Sequence, residues 1–234
     1  MRPKTRVAFD REMQEVKDKV LVLGSLVEHA LTDSVDILKK RDITGAQRLI
    51  VDDRRINALR FEVESDVLTL IATQQPVASD MRTLAAVLEI ATELERIGDY
   101  AKGIAKINLL IGEEPLLKPL IDLPLMAAKA CEMLHQALDA FIRLDVTLAR
   151  SIPAHDDDVD RLYNQVNREL LTYVLADPTK IDQANYLLWV AHNLERAADR
   201  VINLCERVVF TVTGSMVELD EEDDGVPPMA LRED

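Results

Sequence analysis

Leu94, Glu95, Arg96, Ile97, Gly98 and Asp99 return one hundred residues later as Leu194, Glu195, Arg196, Ala197, Ala198 and Asp199. A chain that repeats itself folds the same way twice, so each half constrains the other. Both copies sit in long segments with apolar residues at helical spacing, where Glu and Asp four apart share one helix face. Like charges at that spacing cost a few tenths of a kcal/mol, and a cation is expected to offset that cost.

The repeat also sorts the other acidic pairs. Glu62 and Asp66 fall, at an offset of 103, on Gln165 and Glu169, and Glu89 and Glu93 fall, at an offset of 100, on Trp189 and Asn193. Neither pair recurs, and both read as solvated helix face. Glu95 with Asp99 recurs intact, and Asp53 with Asn57 answers Asp156 with Asp160 at the 103 offset. Two positional pairs per half survive the comparison.

An apolar fraction of 48% supports a sizeable core, and only 4% aromatic residues with seven glycines favour helices over strands and turns. The predicted fold is all-α, two tandem, sequence-related three-helix bundles of six long antiparallel helices. Apolar periodicity places helices over 9–40, 46–72 and 80–111, with Asp80 as N-cap of the third. The pattern restarts over 125–144, 148–175 and 180–212, and Pro153 is expected to delay or kink the fifth helix. The domains are 7–112, a proline-containing linker 113–124, and 125–213; residues 214–234 form an acidic tail whose composition predicts disorder.

Short connections make consecutive helices antiparallel, so position along a helix can be counted from the turn. Asp53 and Asp99 lie about equally far from the turn in the first half, as do Asn57 and Glu95. Asp156 with Asp199 and Asp160 with Glu195 match in the second half. Asp53, Asn57, Glu95, Asp99, Asp156, Asp160, Glu195 and Asp199 are therefore the candidate metal ligands. They offer carboxylate oxygens and one carboxamide, with no thiolate or imidazole, a set suited to Mg²⁺, Mn²⁺, Ca²⁺ or iron rather than tetrahedral zinc. Arg96 and Arg196 either pair with neighbouring carboxylates or orient the ligands.

A net charge of −14 with no basic, aromatic-studded stretch argues against nucleic-acid binding. No basic-then-apolar leader and no run of 18 apolar residues occurs, so a cytosolic protein without membrane insertion is expected. Cys131 and Cys205 lack CxxC spacing and read as core residues. No nucleophile–base–orienter triad or glycine-rich phosphate loop is present, and no catalytic activity is expected. A di-iron carboxylate enzyme would need a Glu-x-x-His element on each of two helices; Glu132 with His135 supplies one, and its first-half counterparts are His29 and Thr32. His135, His155 and His192 read as structural or solvent-facing, and Trp189 as a core-edge residue. A metal-free helical adaptor is the remaining rival.

Pro76, Val77, Ala78, Ser79, Asp80, Met81 and Arg82, followed by Leu94–Asp99, resemble the PhoU family, over roughly residues 7–213. The resemblance implies a pair of three-helix bundles that negatively regulates phosphate-starvation signalling. It implies a cytoplasmic protein, peripheral to the inner face of the membrane through its partners: the ATPase subunit of a phosphate ABC transporter and a sensor histidine kinase. It also implies a homodimer, and metal clusters on paired Glu/Asp-x-x-x-Asp motifs, which fall here on the eight residues above. Two departures stand out. Asn57 replaces an acid, and Ala197-Ala198 replaces Ile-Gly, with Tyr100 and Arg200 where the family often has His. Arg200 is expected to repel a cation beside the second motif.

Overall fold

The computed structural model describes residues 4–219. The first half is α1 (Lys4–Lys40), α2 (Ile43–Gln74) and α3 (Ala78–Ile111). After the stretch 112–121 come α4 (Asp122–Arg143), α5 (Val146–Ser151), α6 (Asp156–Ala176) and α7 (Ile181–Thr213). Among the described residues there is no strand. The helix expected over 148–175 is broken: α5 ends at Ser151, a 3₁₀ turn spans Pro153–His155, and α6 follows. Pro153 brings no N–H and crowds the preceding turn, which is the interruption its position predicts.

The duplication extends to the joints. Arg41 and Leu144, 103 apart, both close a helix in the left-handed region, at φ 54° and 55°. The next residue caps the following helix in each half. Asp42 Oδ1 accepts from Gly45 N at 2.8 Å, and Asp145 Oδ1 accepts from Leu148 N at 3.0 Å. Each satisfies an amide that the helix start leaves without a partner. The third helix departs from expectation: its N-cap is Val77, without a side-chain bond, and Asp80 lies in the first turn, where its charge opposes the helix dipole's positive end.

The halves share one core. Phe9, Val20 and Leu31 of α1, Leu94 and Ile104 of α3, Met126 and Phe141 of α4, and Leu194 and Val208 of α7 belong to one continuous buried cluster. Across the halves α3 packs on α7 and α1 on α4. Arg82 meets Thr211, Glu89 meets Arg207, Glu93 meets Arg200, and Gly103 meets Asn193, so α3 and α7 run antiparallel. Gly24 of α1 lies against Leu138 of α4, and Thr32 against Cys131, again antiparallel. Both pairings are what a two-fold rotation perpendicular to the helices produces.

On this seam the sequence reading fails for Glu93, whereas Glu89 is exposed as expected. Glu93 is only 8% exposed. Arg96 Nη1 donates to its Oε1 at 2.6 Å, while Asn203 Nδ2 and Arg200 Nη1 donate to Oε2 at 3.1 and 3.4 Å. Glu89 pairs with Arg207 Nε at 2.9 Å. Glu62 and Asp66 do lie on an outer face, both paired with Lys19.

Burial holds both thiols protonated. Cys205 is fully buried with its pKa pushed up to about 12, and burial also raises Cys131. Residues 214–219, assigned to the tail, turn back along α7: Leu219 N donates to Glu206 Oε1 at 3.1 Å, and Val217 and Leu219 pack on the core. The remainder of the predicted tail, 220–234, and the first three residues lie outside the described residues.

Candidate metal centres

In the first half α2 carries Asp53 and Asn57 and α3 carries Glu95 and Asp99, and the register brings them to one level. Asp53 is 4% exposed. Its Oδ2 accepts from Asn57 Nδ2 at 3.0 Å and from Lys102 Nζ at 2.7 Å, and Lys102 also reaches Asp99 Oδ1 at 3.3 Å. Asp53 Oδ1 is enclosed and has no hydrogen-bond partner among the described residues. The hydrogen bond to Asp53 holds the Lys102 ammonium charged, raising its pKa. Burial raises the pKa of Glu95, the charge on Asp99 adds to the rise, and Arg60 opposes it. Arg60 is itself paired with Glu64.

In the second half α6 carries Asp156 and Asp160 and α7 carries Glu195 and Asp199. Asp156 is buried, within the first turn of α6. Glu195 is pushed up to about 7, first by burial and then by the charges on Asp199 and Asp160, with Arg196 pulling the other way. Its Oε2 is buried and accepts no hydrogen bond among the described residues, although His192 Nδ1 stands 3.3 Å away. That distance is within ion-pair range, but the ring is not aligned to donate. His192 also lies against Tyr163, with ring centroids 6.3 Å apart.

The arginines of the two motifs do different work. Arg196 Nη1 donates to Asp199 Oδ2 at 3.1 Å, whereas Arg96 turns to Glu93 on the seam. Arg200, expected to repel a cation beside the second motif, reaches across to Glu93 instead. The Tyr100 side chain raises the pKa of both Arg196 and Arg200, so one first-half residue acts on both second-half arginines.

Two participants escaped the sequence reading, Lys102 and His192. Each is three residues from a motif acid, Lys102 after Asp99 and His192 before Glu195. His192 stands beside the second acidic face, its Nδ1 3.3 Å from Glu195 Oε2. Glu132 and His135 are exposed, with His135 near Glu28 on α1, so this Glu-x-x-His element faces away from the core. Among the described residues no three carboxylate, imidazole or thiolate groups converge into a preset metal site. In the second face the fit to a hard cation is therefore one of donor chemistry: mutually repelling carboxylates, one with a buried, unsatisfied oxygen.

The PhoU domain family model matches the chain twice, at residues 20–107 and 123–208. This chain belongs to the PhoU family. A PhoU homolog from Aquifex aeolicus, described as a phosphate-specific transport system accessory protein, is 36% identical over 89% of this chain and 94% of its own length. The Clostridium acetobutylicum PhoU homolog, of the same description, is 36% identical over 93% of this chain and all of its own. The crystal structure of PhoU from Pseudomonas aeruginosa superposes with a TM-score of 0.82 at 32% identity, covering 88% of this chain and 100% of that one. The Streptococcus pneumoniae phosphate transport system regulatory protein PhoU gives 0.82 at 31% identity over 89% and 99%. The first match falls within α1–α3 and the second within α4–α7, and each carries one of the two acidic faces.

Proposed function

We propose that this chain is an accessory regulator of phosphate transport, which holds phosphate-starvation signalling off when phosphate is plentiful. Its partners are the ATPase subunit of a phosphate ABC transporter and a sensor histidine kinase, and it acts at the inner face of the membrane through them. The observation that carries this reading is the PhoU domain present twice in a chain whose full-length relatives are described as phosphate transport accessory proteins. No described helix is long and apolar enough to cross a membrane, which fits docking onto membrane partners rather than insertion among them.

The role is regulatory rather than catalytic, as the descriptions of its relatives as accessory and regulatory proteins support. The buried ionisable groups are engaged in helix packing, and the Glu132–His135 element is exposed. What the acidic faces can do is hold hard cations. Asp156, Asp160, Glu195 and Asp199 would hold one on the second face, with Arg196 orienting Asp199 and His192 adjoining Glu195. Bound cations supply charge that stabilises the paired helices and turns an acidic surface into one that accepts anionic partner groups. A metal-free adaptor is the second reading, favoured by Trp189, which is 56% exposed beside Tyr186 rather than at a core edge.

Deleting the gene should turn on phosphate-starvation genes in phosphate-rich medium, read with a reporter or by transcript counting, and the wild-type gene in trans should silence them again. Unchanged expression after deletion would remove the regulatory reading.

A further inference from the structure

The first bundle holds a cleft beside its acidic face. It lies between α1 and α2, runs from their joint at Asp42 to the level of Ile56, and encloses about 370 Å³. Leu26, Ala30 and Ile37 of α1 and Leu49 and Ile56 of α2 give it apolar walls, and Arg48, Arg55, Asp33 and Asp52 line it with charge. We propose that this cleft binds a nucleoside phosphate. The base lies against the apolar walls, the phosphate meets the guanidiniums, and ribose hydroxyls or base N–H groups meet the carboxylates. The proposal goes beyond the regulatory reading and does not depend on metal at either acidic face.

Three observations carry it. First, the charges lining the cleft are uncommitted. The side chains of Arg48, Arg55, Asp33 and Asp52 form no ion pair or hydrogen bond among the described residues. All four are exposed, so water satisfies them in the free protein and ligand groups can replace it without breaking an internal contact.

Second, the mixture of groups suits one ligand class. The two guanidiniums, two turns or about 11 Å apart along α2, repel a metal ion. Inorganic phosphate alone leaves the apolar walls bare and brings the aspartates no strong donor, and a purely apolar ligand strips water from charged groups. A nucleoside phosphate joins a flat ring, hydroxyl and amino donors and an anion in one molecule. Guanidinium donates in pairs to phosphate oxygens, and carboxylates accept from ribose hydroxyls. The volume falls among small-molecule sites, which run from roughly 300 to 1,000 Å³.

Third, the repeat shows that the opening is not a by-product of packing three such helices. At the 103 offset Leu26 and Arg55 become Lys129 and Asp158. Lys129 Nζ donates to Asp158 Oδ2 at 2.5 Å, bridging α4 and α6 where the first bundle is open. Gly45 becomes Leu148, and half-buried Leu49 becomes Ile152, which is fully buried. Arg48 becomes Ser151, so the pair of guanidiniums belongs to the first bundle alone.

The test uses the full chain in EDTA, which keeps metal-bridged phosphate off the acidic faces. Binding of the mono-, di- and triphosphates of adenosine, guanosine, cytidine and uridine is read by isothermal titration calorimetry. At least one should bind at a single site per chain, and its nucleoside and inorganic phosphate, each alone, should bind at least about tenfold more weakly. Arg48→Ala/Arg55→Ala should weaken the nucleotide at least about tenfold and melt at the wild-type temperature. Arg54→Ala, exposed on α2 outside the cleft, should bind as the wild type does. Leu26→Lys/Arg55→Asp, which installs the second bundle's bridge, should abolish binding. Wild type that binds none of these nucleotides would overturn the proposal. So would inorganic phosphate that binds as tightly as the nucleotide, or nucleotide binding that Arg48→Ala/Arg55→Ala leaves intact.

Discussion

At pH 8 in EDTA, Glu195→Gln melts above the wild type by roughly 2–8 °C, equivalent to about 1–3 kcal/mol. Glu195 is crowded by Asp199 and Asp160 in a partly buried position, and its pKa is pushed from 4.5 up to about 7. A carboxyl whose pKa is higher folded than unfolded binds its proton more tightly in the native state. Its contribution is fully present below about pH 4.5 and is lost as pH rises through about 7. At pH 8 the ionised side chain therefore opposes folding, and glutamine relieves that. At pH 5 the two proteins should converge. Saturating Mn²⁺ reverses the order, because ligand at one hundred times its Kd stabilises the wild type by about 2.7 kcal/mol and the variant by less. Melting curves at the two pH values, with and without metal, check all four statements. A variant less stable than wild type at pH 8 in EDTA would mean that the Glu195 carboxylate is paired rather than repelled.

Glu93→Ala costs about 2–4 kcal/mol in denaturant unfolding, against less than about 1 kcal/mol for Glu89→Ala. Glu93 takes bonds from Arg96, Arg200 and Asn203 on the α3–α7 seam. Removing it leaves Arg200 without its carboxylate partner, beside Arg196. Glu93→Gln, which keeps an acceptor, should lose about half as much. The Arg207 partner Glu89 is half exposed, and water replaces it at little cost. Equal effects of the two alanine variants would return Glu93 to the solvated face that the sequence assigned it.

That misassignment shows where the repeat ceases to inform. Comparing halves detects what both keep: the Asp42 and Asp145 caps, the Leu94–Asp99 and Leu194–Asp199 motifs, and the register that levels Asp53 with Asp99. It is blind to the seam, because there α3 meets α7 and each side chain faces a different residue from its counterpart. Glu93 faces Arg200, while its counterpart Asn193 lies against Gly103. Lys102 was invisible for another reason. A lysine three residues after an aspartate is ordinary on any helix, and only the depth of Asp53 on α2 gives this one a structural task. The break at Pro153 was legible from the missing N–H, whereas the start of α3 was not. Asp80 has the chemistry of a cap, yet the chain turns three residues earlier, at Val77, after Pro76.

The most direct measurement is the metal content of the full chain, purified without a chelating tag and analysed by elemental mass spectrometry beside a Glu195→Ala/Asp199→Ala variant that keeps its helical circular dichroism. A stoichiometric hard cation in the wild type that is absent from the variant is the predicted result. No metal in either protein, even after incubation with Mn²⁺, Mg²⁺ or Fe²⁺, would contradict it.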